Sequence, residues 1–304
     1  MDDPLIADDP LITTGVSMER GGRTVVDGVS FRVRPGEVVA LLGSNGAGKT
    51  TLVDGILGVT PLAAGSVTIH GDPPARARHK RTVAACLQDG GLPHDLSVSD
   101  AVGYYAAVAG TELDGPRLLD RFGLSGVADR KVAVLSGGER RRLQVALATA
   151  REVGLLILDE PTAALDVDAR AMIWTELVDH VAFGTGALLF TTHLVEEAER
   201  YADRVVFLQD GGVVHDETTA ALRARVEGLV VVRARSVVGA TALPELPGSE
   251  ATRIRGGMLE CHTRAGAEAV SALTADPRFT AVQTTPATLE DVLFGRHRSE
   301  GATA

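Results

Sequence analysis

The most chemically specific stretch of this 304-residue chain is a glycine-rich loop that ends in a lysine and two threonines. It fits the pattern G-x-x-x-x-G-K-[ST], in which backbone N–H groups surround phosphates, the lysine reaches the terminal phosphates and the hydroxyl binds Mg²⁺. Glycines let the N–H groups turn inward, and the following helix adds positive potential at its N-terminus. We therefore predict a nucleoside triphosphate site formed by Gly43, Ser44, Asn45, Gly46, Ala47, Gly48, Lys49, Thr50 and Thr51, with Thr50 on the metal.

Two adjacent acids follow the apolar run at residues 155–158. An acid at the end of a buried strand beside such a loop is where the Mg²⁺ of a nucleotide needs a second anchor, and we assign this role to Asp159. Glu160, one residue later, is placed to polarise a water molecule for attack on the γ-phosphate. These residues predict a Mg-dependent nucleoside triphosphatase, an activity that many families share.

A second glycine-containing segment reads Leu135-Ser136-Gly137-Gly138-Glu139 and precedes a long run of helix-forming residues. Ser136 and Glu139 fit the S-x-x-E capping box, which predicts the start of a helix. Because the glycine amides at such a helix tip are not obstructed by side chains, the segment predicts a second anion site, separate from the first.

With these motifs in this order, residues 13–215 resemble the ABC ATPase family, whose signature reads LSGGQ. The resemblance implies that ATP is the nucleotide. It also implies that Ser136, Gly137, Gly138 and Glu139 contact the γ-phosphate held by another subunit, in a head-to-tail dimer with two ATP molecules. The other subunit is either an identical copy or a related ATPase. Glu139 stands in place of glutamine, and either residue completes the capping box.

Three further positions match the family. Gln88 resembles the Q-loop residue, which contacts Mg²⁺ or water and faces the membrane partner. Asp166 resembles the D-loop residue, which crosses the dimer interface. His193 resembles the switch histidine, which senses the γ-phosphate.

The resemblance weakens at the adenine-binding position, where many relatives carry an aromatic residue. The corresponding place in this chain is near Arg20, and a guanidinium plane can also stack on a base. We therefore predict an adenine contact from Arg20. Tyr104 and Tyr105 lie where relatives receive the permease, but we expect both side chains to pack in the core.

The elements around these motifs predict an α/β P-loop NTPase fold. The short apolar runs at residues 155–158 and 187–190 are typical of parallel strands that are buried on both faces, with helices between them. An antiparallel β subdomain at the N-terminus and a helical subdomain are expected. We predict a tail at residues 1–12, an ATPase domain at 13–222 and a small α+β domain at 228–304, whose last helix starts at Thr285-Pro286.

The small domain ends in Leu289-Glu290-Asp291-Val292-Leu293, which resembles the C-terminal segment of daunorubicin-resistance ATPases. This resemblance implies export of a drug, antibiotic or other hydrophobic compound through a separate ABC-2 type permease. An importer ATPase and a non-transport ABC protein remain alternatives. A GTPase is disfavoured, because the chain has no Asn-Lys-x-Asp motif.

The bulk properties limit the partners. The net charge of −10 and the pI of about 5.3 argue against a nucleic-acid-binding protein. Two isolated cysteines indicate a reducing compartment without a disulfide framework. No run approaches the roughly 20 apolar residues of a membrane span. We therefore expect a cytoplasmic protein that reaches the inner face of the membrane through its permease.

Overall fold

The computed structural model describes residues 9–88, 90–183, 186–237 and 243–295. The chain divides into two compact units, with the boundary between Glu217 and Thr218. This boundary differs from the expected one, because the helix Thr219–Val226 begins the second unit instead of ending the first. Residues 1–8, most of the expected tail, lie outside the described residues, and the first strand already starts at Leu11.

The first unit combines strands and helices in the order expected of an α/β fold. Its described strands are β1 (Leu11–Arg20), β2 (Arg23–Val33), β3 (Val38–Leu42), β4 (Ala64–Ile69), β5 (Val83–Cys86), β6 (Leu155–Asp159), β7 (Ala187–Thr192), β8 (Arg204–Gln209) and β9 (Gly212–Thr218). Its described helices are α1 (Lys49–Ile56), α2 (Pro74–Lys80), α3 (Val98–Ala109), α4 (Gly115–Arg121), α5 (Gly137–Ala148), α6 (Val167–Phe183) and α7 (Val195–Tyr201).

Strands β1, β2 and β4 form an antiparallel sheet in the order β2-β1-β4. Gly21 and Gly22 make the tight connection between β1 and β2, and both have positive φ, which glycine adopts at little cost. This sheet is the expected N-terminal antiparallel subdomain. The helical region between β5 and β6 contains α3, α4 and α5, as expected.

The central sheet has the order β5-β6-β7-β3-β8-β9. Its pairs from β5 to β8 are parallel, and β6 and β7 are buried along their whole length. Because β6, β7 and β3 are neighbours, their carboxyl ends meet at one edge of the sheet. Gly43 follows β3, Glu160 follows β6 and His193 follows β7, so this edge collects the predicted nucleotide residues.

The second unit is an antiparallel sheet with helices on it. It contains α8 (Thr219–Val226), β10 (Val230–Ser236), β11 (Ser249–Arg255), β12 (Met258–Thr263), α9 (Gly266–Ala275), β13 (Phe279–Pro286) and α10 (Leu289–Gly295). The strand order is β11-β12-β10-β13. Alternation along β10 sends Val232 into a core with Leu273 of α9, and Val231 into a second core with Val292 of α10.

The prediction for the start of the last helix was wrong. Pro286 is the final residue of β13, and α10 begins three residues later. Thr288 caps this helix: its backbone N–H donates to Asp291 Oδ2 at 2.8 Å, and its hydroxyl oxygen accepts from the Asp291 N–H at 3.3 Å. A Thr-x-x-Asp cap therefore outweighs proline as the start signal here.

Candidate functional site

The glycine-rich loop turns directly from β3 into α1. Lys49, the first residue of α1, is 6% exposed, and its Nζ donates to the carbonyl oxygens of Gly43 at 2.8 Å and Ser44 at 3.1 Å. The lysine is therefore folded back across the loop, where the phosphates would lie. Burial lowers the pKa of Lys49, and the carboxylates of Glu160 and Asp159 oppose that shift.

Two glycines in this loop are required by backbone packing. A Cβ on Gly43 would lie 2.4 Å from the carbonyl oxygen of Leu208, and one on Gly48 would lie 2.9 Å from that of Val25. Gly48 also has a φ of 102° at the N-cap of α1, which no side chain caps. The amides at this helix tip are therefore left to a ligand, as an anion site requires.

A cleft of about 440 Å³ opens at this helix tip. Its walls bring together predicted residues from the glycine-rich loop, from the Q-loop position and from the end of β6. They are Arg20, Asn45, Gly46, Gly48, Lys49, Thr50, Thr51, Gln88 and Glu160, and Val25, which was not predicted, completes the wall. The volume suits a nucleotide, because small-molecule sites occupy about 300–1,000 Å³.

Arg20 lies at this cleft, at the end of β1. Its guanidinium pairs with Asp54 of α1 at 3.7 Å and is 66% exposed, so it remains accessible to a base. Burial raises the pKa of Asp54, and the charge of Arg20 opposes that rise. The adenine contact stays a prediction, and the geometry is compatible with it.

Asp159 and Glu160 diverge at the end of β6. Asp159 is fully buried, and its Oδ1 accepts a 2.5 Å hydrogen bond from the hydroxyl of Thr191 in β7. The same hydroxyl accepts a 2.9 Å bond from the Glu160 N–H. Glu160 has a φ of 49°, a conformation that costs a non-glycine residue about 1–3 kcal/mol. This turn directs the Glu160 side chain into the cleft.

The residues predicted to hold Mg²⁺ fit a magnesium ion. Asp159 Oδ2 is buried and has no hydrogen-bond partner among the described residues, whereas Thr50 and Gln88 line the adjoining cleft. A buried carboxylate oxygen without a partner is costly unless a cation or water satisfies it. Oxygen ligands from one or two carboxylates, completed by phosphates and water, are the usual environment of nucleotide-bound Mg²⁺.

Glu160 lies beside both a lysine and a histidine of the predicted site. Its Oε1 lies 3.9 Å from Lys49 Nζ and 3.2 Å from His193 Nδ1. His193 follows β7 and is 42% exposed, so its other ring nitrogen can reach a ligand. The structure thus brings the predicted general base, the predicted switch histidine and the phosphate-binding lysine together.

The signature segment lies elsewhere on the surface. Ser136 caps α5 with the complete capping box: its hydroxyl oxygen accepts from the Glu139 N–H at 3.2 Å, and its own N–H donates to Glu139 Oε2 at 2.7 Å. Ser136 and Gly137 are exposed, and a Cβ on Gly137 would meet nothing within 4 Å. Among the described residues of the same chain, the wall of the cleft does not include Ser136, Gly137, Gly138 or Glu139.

Asp166 is placed by its own helix. Its Oδ1 accepts from the Ala169 N–H at 2.8 Å, which fixes the start of α6, and Ala164 just before it has a φ of 60°. In the link between Glu160 and α6, Ala164 and Asp166 are exposed, whereas Thr162 and Leu165 are buried. The interface role of Asp166 remains a prediction.

Sequence reasoning missed Arg141, the second residue after the signature. It is 7% exposed and donates to the carbonyl oxygens of Pro161 at 3.2 Å and Leu87 at 3.1 Å, and also to that of Asp159. Arg141 therefore connects α5 both to the end of β6 and to Leu87, the residue before Gln88. A run of three arginines is usually read as an exposed helix face, so its composition gave no signal.

A second cavity, of about 380 Å³, lies on the other side of the Gln88 loop. Its walls are mainly apolar and include Leu87, Leu92, Tyr105 and Leu147. Gln144 Nε2 closes one side by donating to the Gly90 carbonyl at 2.8 Å. Asp89, between Gln88 and Gly90, lies outside the described residues.

The expectation that both tyrosines pack in the core was wrong. Tyr104 is 56% exposed, and Tyr105 lines the second cavity from α3.

Cys86 and Cys261 are free and buried, and burial raises the pKa of Cys86 to about 11. A thiol with that pKa is not a nucleophile at neutral pH. No helix among the described residues combines the length and apolar character needed to cross a bilayer.

Comparisons with known proteins agree with this geometry. A family model described as ABC transporter matches residues 26–163. A Nod factor export ATP-binding protein I of Burkholderia thailandensis is 38% identical over 248 residues, which cover 79% of this chain and 81% of that protein. The protein of the same name from Burkholderia orbicola is 35% identical over 293 residues, covering 94% of this chain and 96% of that protein.

Two solved structures are similar as well. One, described as the ATP-binding subunit of an ABC transporter, has a TM-score of 0.65 and 29% identity, and the match covers 71% of this chain and 93% of that chain. The other is cbiO1 from Clostridium perfringens, part of the ABC transporter complex cbiONQ. It has a TM-score of 0.60 and 25% identity, with 72% and 92% coverage.

Proposed function

Since this chain belongs to the ABC transporter family, as an ATP-binding subunit that hydrolyses ATP, we propose that it drives export through a separate membrane permease. The observation that carries this proposal is the length of the match to export proteins. The match to a Nod factor export ATP-binding protein I covers 94% of this chain, and therefore includes the C-terminal unit as well as the ATPase unit.

The resemblance of the C-terminal segment supports a particular type of permease and a particular class of cargo. The segment Leu289-Glu290-Asp291-Val292-Leu293, which is similar to that of daunorubicin-resistance ATPases, supports an ABC-2 type permease and a drug, antibiotic or other hydrophobic cargo. In that arrangement the protein sits at the cytoplasmic face of the membrane, held there by the permease.

The cleft supplies the chemistry of hydrolysis. Lys49 and the loop amides bind the phosphates, and Asp159, Thr50 and Gln88 would hold Mg²⁺, which would supply charge neutralisation at the phosphates. Glu160 accepts the proton of the attacking water. His193, held 3.2 Å from Glu160, contacts the γ-phosphate and reports its presence.

The exposed signature tip completes the site of a second subunit. Ser136, Gly137 and Gly138 present an accessible helix N-terminus outside the cleft of their own chain. A head-to-tail dimer, with an identical or related chain, brings this tip to the γ-phosphate of the partner and buries both nucleotides. Asp166 lies at the interface between the two subunits.

The apolar cavity beside the Gln88 loop is the proposed docking site of the permease. An apolar cytoplasmic helix seated there would contact Tyr105 and Leu92, while Tyr104 remains available on the exposed face of α3. Movement of that helix would shift the loop that carries Gln88 into the ATP cleft. Docking and hydrolysis would thereby be coupled over a short stretch of chain.

The test is a reconstitution of the chain with its permease in membrane vesicles. Glu160→Gln should lower ATP hydrolysis about 100-fold or more, because it removes the general base, while it preserves ATP binding and traps the dimer. Inverted vesicles should accumulate a hydrophobic cargo only with ATP and wild-type protein. ATP-driven uptake into right-side-out vesicles would identify an importer, and wild-type turnover by Glu160→Gln would remove the assignment of the base.

A further inference from the structure

Glu197 of α7 is a buried carboxylate that the proposed ATPase chemistry does not use. Glu197 is 4% exposed, and it lies on α7 of the first unit. Burying an ionised carboxylate is expensive unless hydrogen bonds replace its hydration. The groups that surround Glu197 therefore indicate what its burial achieves.

Both oxygens of Glu197 are bound by groups from other segments. Oε1 accepts from the hydroxyl of Thr162 and, at 3.4 Å, from the indole N–H of Trp174 in α6. Oε2 accepts from the hydroxyl of Thr192 at 2.9 Å. Arg170 Nε lies 3.5 Å from Oε1 and contributes an opposite charge.

Two of these partners are next to the catalytic pair in sequence. Thr162 is two residues after Glu160, and Thr192 immediately precedes His193. The carboxylate thus links the loop after β6 to the last residue of β7. The 3.2 Å contact between Glu160 and His193 joins the same two segments at a second point, so the contacts form a closed ring.

Thr192 extends this ring to the phosphate loop. Its carbonyl oxygen accepts from the Gly43 N–H at 3.3 Å, and its hydroxyl oxygen accepts from the Leu194 N–H at 3.0 Å. A shift of Thr192 would therefore move His193 relative to both Glu160 and the phosphates.

We propose that Glu197 is a positioning residue for ATP hydrolysis, which sets the distance between Glu160 and His193 by holding Thr162 and Thr192 on its two oxygens. This inference rests on the roles proposed for Glu160 and His193. A misplacement of about 1 Å in an active site costs about 100-fold in rate, so the link affects turnover more than nucleotide binding.

The decisive variants are Thr162→Val and Thr192→Val, which remove one hydroxyl each and keep the side-chain shape. In the full-length protein, each should lower kcat for ATP about 10-fold to 100-fold, with the KM for ATP changed less than about twofold. Glu197→Ala should resemble the two changes combined. If Glu197→Ala does not fold, the valine variants carry the test, because they leave the carboxylate and its other donors in place.

Trp174→Phe is the matched control. It removes a hydrogen bond to the same carboxylate oxygen, but Trp174 lies on α6, stacks on Tyr201 and packs edge-on against Phe190, so it belongs to neither catalytic segment. It should lower Tm and leave kcat near the wild-type value. Equal losses of kcat in Trp174→Phe and the two valine variants would mean that Glu197 only stabilises the fold, and would overturn the proposal.

A second readout uses His193→Ala. If Glu197 acts through the histidine, Thr192→Val should reduce kcat much less in the His193→Ala background than in the wild type, because coupled residues are not additive. Full additivity would overturn the proposal. Failure of the underlying site assignment is recognised separately, because Glu160→Gln would then retain wild-type turnover.

Discussion

The first unit contains two helix tips with glycines at or before the first turn, and they are built in opposite ways. At α1 the tip is Gly48, in a left-handed conformation and without a side-chain cap, beside a lysine that is 6% exposed. At α5 the tip is Ser136, exposed and closed by a full capping box with Glu139. One tip is recessed in a cleft, and the other projects from the surface.

This difference supports the proposal that one chain presents two anion sites and does not complete its own ATP site. The recessed tip already has its lysine within the chain, and Lys49 Nζ lies 2.8 Å from the Gly43 carbonyl oxygen and 3.9 Å from Glu160 Oε1. The projecting tip is stable by itself, because its cap satisfies the N–H groups of Ser136 and Glu139 without using those of Gly137 and Gly138. It is therefore suited to meet a phosphate that another chain presents.

The largest effect is expected from mixing Lys49→Ala and Ser136→Arg subunits. Each variant alone should be inactive, because every composite site in its homodimer lacks one half. An equal mixture should recover up to about a quarter of the wild-type ATPase rate, since half of the dimers are mixed and each contains one intact site. Activity that stays at zero after mixing would show that the two tips serve the same chain.

The same glycine-to-alanine change should have opposite effects on stability at the two tips. Gly48→Ala should lower stability by about 1–3 kcal/mol and abolish ATP binding, because its φ is 102° and Val25 is close. Gly137→Ala should raise stability by about 0.4–1 kcal/mol, since its Cβ meets nothing. In a Glu160→Gln background, Gly137→Ala should nevertheless weaken the ATP-dependent dimer.

Thermal denaturation and size-exclusion chromatography with Mg-ATP provide both measurements. If Gly137→Ala were stable and dimerised like the parent protein, the projecting tip would not approach a nucleotide closely.

The smallest effect concerns the cap of the projecting tip and its pH dependence. The hydrogen bond from the Ser136 N–H holds the pKa of Glu139 below its usual value of 4.5. The carboxylate therefore stabilises the fold above pH 4.5 and loses this contribution as the pH falls through its lowered pKa. Urea denaturation should show an advantage of wild type over Glu139→Gln of about 0.3–1 kcal/mol at neutral pH.

That advantage should disappear at more acidic pH. An advantage that is constant across this pH range would mean that the glutamate acts through its shape and not through its charge.

Much of the site could be predicted from sequence because its parts are local. Gly43 to Thr50 specify a loop and a helix start within eight residues, and Ser136 with Glu139 specifies a cap within four. The apolar runs before Asp159 and His193 indicate buried parallel strands. Each of these signals depends on the backbone geometry of a few neighbouring residues.

The residues that sequence reasoning missed depend on distant partners. Arg141 bonds carbonyl oxygens 18 to 54 positions away, and Glu197 bonds Thr162 at a separation of 35. In sequence both look like ordinary charged positions on helices. The start of α10 was misplaced for a different reason, because strand pairing carried β13 through Pro286.

The sequence by itself therefore determined the chemistry of the nucleotide site, since motif residues act through spacing that the backbone fixes locally. Only the tertiary structure decided which of them meet. The order β6-β7-β3 placed Glu160 and Lys49 in one cleft, with His193 3.2 Å from Glu160, and left Ser136 outside it. Strand order results from packing apolar faces across the whole unit, a long-range effect that no short segment encodes.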